Sequence, residues 1–456
     1  MLTNEALQLE FDKFKTSPHP KFIWRYSVEI ITESDTIKAN RLHSYVIEAD
    51  YAGVTQGNAP FSDRVAISVE VGRSTYRDKI YPFREKLRVR VIRTRTTGQN
   101  TDTEGEVLTR LFDAQLVNPV DLSALAARRE NVDKAEEEGM NFIDIQFQLS
   151  DPSVIGCLMS KVGGIFRDVT QKDLLQGLMG VGLTPSSNPS TLKSETYTGV
   201  RGVNIVEPTN IKRYTQVWIN PTTRLVDLPM ALQKEYGVYS SGLGYYLTNG
   251  HWFIYPLRDY NAFNVTEKTL TILNIPKQEG IGVDKTYRVE GKKVFILAGN
   301  RTEMKDVAND AFLNVGNGIR YVRASSLLDD LHETSENKTT MRKSDTVKQY
   351  LIYESPEGRN NIQYPENILT DNPYPLLSDM SAGLGRMVMV DWLEADPQLL
   401  YPGMPVRFLY SKDGKVVTLD GTLFAAKSVT MASDKVSNQE ARTSVSMVIY
   451  VKEVEG

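Results

Sequence analysis

A single cysteine, Cys157, stands in a chain of 456 residues, so no internal disulfide can form. With no covalent staple, assembly in a reducing cytoplasm is the expectation. Histidine is almost as scarce. His19, His43, His251 and His332 have no second histidine at helical spacing, which argues against a zinc site. No apolar run is long enough to span a bilayer. The N-terminal Met1-Leu2-Thr3-Asn4-Glu5 is acidic where a signal peptide needs a basic flank, so neither signal-directed export nor a membrane anchor is expected. An excess of one charge is lacking too: 53 Lys and Arg against 57 Asp and Glu leave a net charge of −4, which argues against bulk nucleic-acid binding. The phosphate-cradling loop ending in Gly-Lys-Ser/Thr is missing, since Gly180-Val181-Gly182 meets Pro185 where a third glycine belongs. No Gly-x-Ser-x-Gly elbow surrounds Ser240 or Ser241.

What is present is alternation. Apolar residues make up 41% of the chain and charged residues 24%, the balance of a globular protein with room for several cores. Residues 1–17 read as a charged helix or arm. Phe22, Trp24, Tyr26, Val28 and Ile30 then recur with period two, as strands do. Further strands are expected at Tyr45–Tyr51, at Val65–Val71 up to Gly72, at Leu87–Val91 and at Val107–Leu116. Ile143, Ile145, Phe147 and Leu149 give the cleanest alternation. Between these last two, Asp121–Glu138 is rich in Ala, Leu, Glu and Lys without Gly or Pro and reads as one amphipathic helix ending at Gly139. Residues 20–150 therefore read as a small antiparallel barrel or sandwich with one flanking helix.

A short helix is expected at Asp173–Met179, followed by a linker of Ser, Asn and Pro at Pro185–Ser194. Asp227 is expected to cap a helix that Gly237 stops. A hairpin turning at Thr248-Asn249-Gly250 follows. Lys268–Ile275 reads as a strand with Val294–Leu297 as its hairpin partner. Residues 299–395 look like an irregular insert. From Tyr401 to Glu453 the chain reads as an antiparallel meander, with turns at Asp413-Gly414 and Asp420-Gly421.

The one unusual charge feature is the basic run Arg84, Lys86, Arg88, Arg90, Arg93 and Arg95, of which the last five form the candidate channel or partner surface. On a strand, Lys86, Arg88 and Arg90 share a face opposite Leu87, Val89 and Val91. The run is either a surface that meets an acidic neighbour or lines a passage for nucleic acid, or the wet face of a half-buried strand. Asp329, Asp330 and Glu333 form a poor acid/base set, because adjacent helical residues point in different directions. Cys157 reads as a buried structural thiol.

The order of parts resembles the central baseplate hub protein of contractile-tailed bacteriophages and related injection machines. Three places carry the resemblance: Val169-Thr170-Gln171-Lys172-Asp173-Leu174-Leu175-Gln176-Gly177-Leu178, the helix and aromatic hairpin from Leu228 to Leu257, and the meander from Tyr401. It implies a mainly β chain with α+β elements. Two tail-tube-like antiparallel β-barrel or sandwich domains with flanking helices would be joined by a mixed α/β connector. The expected division is 1–160 for the first barrel, 161–260 for the connector and 261–456 for the second barrel, interrupted at about 299–395. It further implies a structural virion protein, not an enzyme, with no cofactor and no metal. Three chains would form a pseudo-sixfold ring around the DNA channel, meeting tail tube, spike and wedge proteins. Assembly would be in the host cytoplasm and residence in the phage baseplate. The alternatives are a wedge or tail-completion protein, and a cell-wall hydrolase built on Asp329, Asp330 and Glu333.

Overall fold

The computed structural model describes residues 5–15, 23–53, 61–96, 107–117, 142–181, 200–260, 268–275, 286–304, 385–412, 415–432 and 440–453, with short pieces between 319 and 381. The protein is mainly β. Its first strands are β1 (Ile23–Ile31), β2 (Thr36–Lys38), β3 (Arg41–Asp50), β4 (Arg64–Gly72), β5 (Leu87–Thr96), β6 (Val107–Leu116) and β7 (Phe142–Ser150). The connector holds β8 (Gly164–Val169), β9 (Gly202–Ile205), β10 (Tyr214–Ile219), β11 (Leu243–Thr248) and β12 (His251–Pro256). Then come β13 (Thr269–Asn274), β14 (Tyr287–Glu290), β15 (Lys293–Met304), β16 (Ile319–Val322), β17 (Gln349–Leu351) and β18 (Ile362–Pro365). The chain closes with β19 (Arg386–Trp392), β20 (Pro405–Lys412), β21 (Lys415–Ala432) and β22 (Glu440–Glu453).

Two closed rings of strands arise from this order. The first runs β3-β4-β7-β6-β5-β1-β22-β21 and returns to β3, every neighbour antiparallel. The second runs β13-β20-β21-β22-β19-β15 and returns to β13. β21 and β22 belong to both. A first barrel confined to residues 1–160 is therefore incomplete, because its last two staves come from the far end of the chain. Closure removes the sheet edges that would otherwise invite mispairing.

The hand-over between rings is local and visible. β21 is 18 residues, roughly 60 Å of extended chain. Its first half pairs with β20 up to Pro405↔Thr422, and its second half pairs with β3 from Ala425↔Asp50. Between them the register with β22 shifts at Leu423/Ala425, a bulge. The extra residue, Phe424, accepts a backbone hydrogen bond from Ala52 and stacks on Tyr450 with ring centroids 5.2 Å apart. Asp420-Gly421, read from the sequence as a turn, lies inside this continuous strand. Glycine is there because any Cβ would sit 1.7 Å from the Tyr450 carbonyl oxygen. The Asp413-Gly414 turn lies outside the described residues, although Lys412 and Lys415 pair across it.

Each ring closes on its own core. Val28, Ile67, Val89, Phe112, Ile145 and Phe147 fill the first. Ile272, Ile296, Val390, Phe408, Met447 and Ile449 fill the second. Ile145 and Phe147 point inward, as their alternation with Asp144 and Gln146 requires. The N-terminal helix Glu5–Lys15 packs on the second ring, not the first: Phe11 and Phe14 cover Leu273, Ile275 and Leu297.

Several local expectations change. β13 and β15 are parallel neighbours, so Val294–Leu297 is not the hairpin partner of Lys268–Ile275. Parallel pairing needs a longer crossover. The hairpin partner of β15 is β14, across a turn where Gly291 takes φ +58. The 299–395 stretch is not all insert, since β15 runs to Met304 and β19 is a stave of the second ring, with β16, β17 and β18 forming a small separate sheet. Asp227 stands before the helix Leu228–Glu235 with helical backbone and makes no capping bond; its carboxylate holds Arg224 instead. Gly237, at φ +80, ends that helix as expected. The β11–β12 hairpin turns on Asn249 and Gly250, both at positive φ. The expected helix 121–138 and linker 185–194 lie outside the described residues.

Candidate functional site

β5 alternates strictly, and this decides where the basic residues go. Lys86 lies just before the strand, with Nζ 2.8 Å from Glu33 Oε1. Arg88 is register partner to Asp113 on β6, and its Nε donates to Asp113 Oδ1 at 3.2 Å. Arg90 is register partner to Glu29 on β1, and its Nη1 donates to Glu29 Oε2 at 2.8 Å. Cross-strand pairs of opposite charge stabilise sheets modestly. Burial raises the Asp113 carboxyl above its usual range, and the Arg88 guanidinium opposes that. These three cations are each matched to one acid.

Arg93 breaks the expectation. Its parity is that of Leu87, Val89 and Val91, so it turns inward and is only 6% exposed. The guanidinium lies 3.4 Å from the centroid of the Trp24 ring, a cation–π contact. Nη1 and Nη2 both donate to Asp396 Oδ1 at 3.1 Å. Asp396 precedes the short turn Pro397–Leu399 between β19 and β20, so this pair ties the first ring to the second. Arg95 stands opposite Trp24 in the β1–β5 register. The five basic residues therefore do not share one face.

The site that sequence reasoning missed lies where the first ring, the connector and the second ring meet. A cavity of about 720 Å³ opens there. Asp63 organises one wall: Arg110 Nη2 donates to its Oδ2 at 3.1 Å, Thr248 Oγ1 to Oδ2 at 3.0 Å and Tyr246 Oη to Oδ1 at 3.1 Å. Burial pushes the nearby Tyr45 phenol up to about 12, with Arg110 opposing. No sequence signal marks this network, because Asp63 and Tyr246 are far apart in the chain.

Among the described residues, His43, Glu70 and Asp144 are the one group whose ligand atoms gather within 4.8 Å. His43 Nε2 is already hydrogen-bonded to Asp144 Oδ1 at 2.8 Å. Cys157 is fully buried, and burial followed by Asp151 pushes its thiol up to about 12, which keeps it protonated and inert. Asp329, Asp330, His332 and Glu333 lie outside the described residues.

No protein-family model and no curated protein matches this chain. Among solved structures it is similar to a chain of the Francisella PdpA-VgrG complex in its half-lidded form, at 7% identity and TM-score 0.44. That match covers 99% of this chain, which spans 62% of the other's length. It is similar also to the E. coli c3393 protein, a component of the type VI secretion system with structural similarity to T4 bacteriophage tail proteins gp27 and gp5. There the identity is 7% and the TM-score 0.39, covering 91% of this chain and 74% of that one. A chain of the phage P2 baseplate in its activated conformation with Ca matches at 10% identity and TM-score 0.28, over 93% of this chain and 98% of that one.

Proposed function

We propose that this chain is a structural component of a phage tail baseplate or a related injection machine, and that it acts as a central hub. Three copies would form a pseudo-sixfold ring joining a tail tube to a spike, with wedge proteins outside and DNA passing through in transit. Its place would be the assembled virion, built in the host cytoplasm. The work would be geometric, without catalysis or cofactor.

The observation that carries this reading is the shared β21–β22 hairpin. Two strand rings in one polypeptide supply two adjacent bricks, and a common hairpin fixes the angle between them. Three such chains present six bricks with threefold repetition, which suits a junction between sixfold and threefold parts. The Arg93–Asp396 pair braces the same junction from the side.

Light scattering coupled to size exclusion, followed by negative-stain imaging with and without the cognate spike, tests it. The expected mass is three times the 51.3 kDa of one chain, with six density lobes around a hole. Six copies per ring would move the chain to the wedge position. A monomer that binds neither tube nor spike at micromolar concentration would overturn the reading.

A further inference from the structure

Three neighbouring strands of the first ring bring together side chains that the sequence keeps far apart. β4 lies between β3 and β7. On its outward face Glu70 of β4 is the direct register partner of Asp144 of β7. Like charges set directly opposite one another cost sheet stability. Elsewhere on this ring an acid faces a base, as Asp113 faces Arg88. Here the half-buried Glu70 carboxylate accepts no hydrogen bond and joins no ion pair among the described residues. Arg41 is its register partner on β3, yet no ion pair joins the two.

The third member arrives by a bulge. β3 and β4 pair at Leu42↔Val69 and next at Ser44↔Ser68, so His43 is an extra residue without a partner on β4. Leu42 and Tyr45 are three apart, which strict alternation would put on opposite faces, yet both are buried in the core of the first ring. The bulge absorbs that difference and turns His43 outward toward the two acids. Its Nε2 stands 2.8 Å from Asp144 Oδ1. One ligand atom each from His43, Glu70 and Asp144 gathers within 4.8 Å. The Asp144 side chain is 67% exposed, so the group is open to solvent on its outer side.

We propose that His43, Glu70 and Asp144 hold a zinc ion, with water completing a four-coordinate shell. An imidazole nitrogen among the ligands favours zinc over calcium and magnesium, which take oxygen ligands in larger number. Two carboxylates stand where a second histidine would otherwise be needed, so histidine spacing gives no hint of the site. His43 binds as the neutral ring: Nε2 gives its lone pair to the ion and the proton stays on Nδ1. The His43–Asp144 hydrogen bond is thereby exchanged for two bonds to the metal. Ligand bonds of about 2 Å put the ligand atoms about 3.3 Å apart, so binding draws the three side chains closer than they stand. The ion's charge removes the repulsion between Glu70 and Asp144 and fastens β3, β4 and β7 together. Zinc here is structural and held within one chain, so the site does not rest on the ring role.

The test titrates zinc chloride into the full chain, previously stripped with EDTA and dialysed, in a calorimeter. One site per chain is expected, with Kd of about 10 µM or tighter, and much weaker binding of magnesium and calcium. His43→Ala, Glu70→Gln and Asp144→Asn are each expected to weaken zinc at least about tenfold. All three side chains face outward, so each variant is expected to fold. In EDTA, Glu70→Gln should melt no lower than the parent, because it removes a like-charge contact, and it should lose the rise in melting temperature that zinc gives the parent. His251→Ala, remote from the group, should bind zinc as the parent does. No binding tighter than about 100 µM, undiminished binding in any of the three site variants, or magnesium binding as tightly as zinc would each overturn the proposal.

Discussion

Arg93 and Asp396 meet across the boundary between the two strand rings, both terminal guanidinium nitrogens 3.1 Å from one carboxylate oxygen. The pair is nearly dry, with side chains 7% and 12% exposed. Removing one partner strands a charge where water cannot reach it. Arg93→Ala is expected to lower stability by about 3 kcal/mol in urea unfolding. The Arg93→Ala/Asp396→Ala double variant should lose less than the sum of the singles. Strictly additive losses would show that the two groups do not interact.

Gly421 and Gly177 make a matched contrast. A Cβ at Gly421 meets backbone 1.7 Å away, whereas one at Gly177 meets nothing within 4 Å. Gly177 lies inside the helix Gln171–Val181. Gly421→Ala is expected to cost more than about 4 kcal/mol or to abolish soluble protein, since the β21–β22 ladder must part. Gly177→Ala should raise stability by about 0.5–1 kcal/mol. Thermal melts of the two variants check both signs, and a mild Gly421→Ala would refute the close approach.

The inward and outward faces of the first ring separate cleanly by charge substitution. Ile145→Asp or Phe147→Asp buries an unpaired carboxylate and should prevent folding. Arg88→Glu should cost only about 0.5–1 kcal/mol, because it sets two acids side by side on a half-open face. Adding Asp113→Arg should recover most of that loss. Failure of the swap to recover it would mean that Arg88 has another role.

Cys157 supplies a pH test. Its thiol is raised from 9.0 to about 12 by burial, so the folded state binds the proton more tightly than the unfolded state. That contribution to stability is complete below pH 9.0 and is lost as pH rises toward about 12. Alkylation by iodoacetamide at pH 8 should therefore be slow in the native chain and fast in urea. Rapid native labelling would show an accessible thiolate.

A fragment ending at residue 160 tests the sharing of staves. It keeps β1 and β3 but lacks β21 and β22, which pair with them. The fragment is expected to aggregate, where a true self-contained barrel would stay monomeric and melt cooperatively.

The sequence made the staves legible and hid the way they close. Ile143 to Leu149 announce their own inward face through simple alternation, and β6 begins and ends where its pattern does. Gly250 and Gly237 mark turns because positive φ is a local need. Arg93 was legible in principle, since it shares parity with Val89 and Val91, but charge drew it into the wrong group. Gly421 misled because Asp-Gly has two physical uses, and only the Tyr450 backbone reveals which applies. The β13–β15 pair was legible but its parallel direction was not, and the Asp63 network depends on contacts between residues remote in the chain. No window of sequence contains them.

The double membership of the last hairpin also sets a schedule. During synthesis β1 and β3 emerge early, yet the strands they wait for are made much later. Until then the nascent molecule carries two unfinished borders, a state that grows stickier with time and favours custody by a chaperone. Neither ring can close before β21 and β22 are present, so the two rings depend on the same pair of strands.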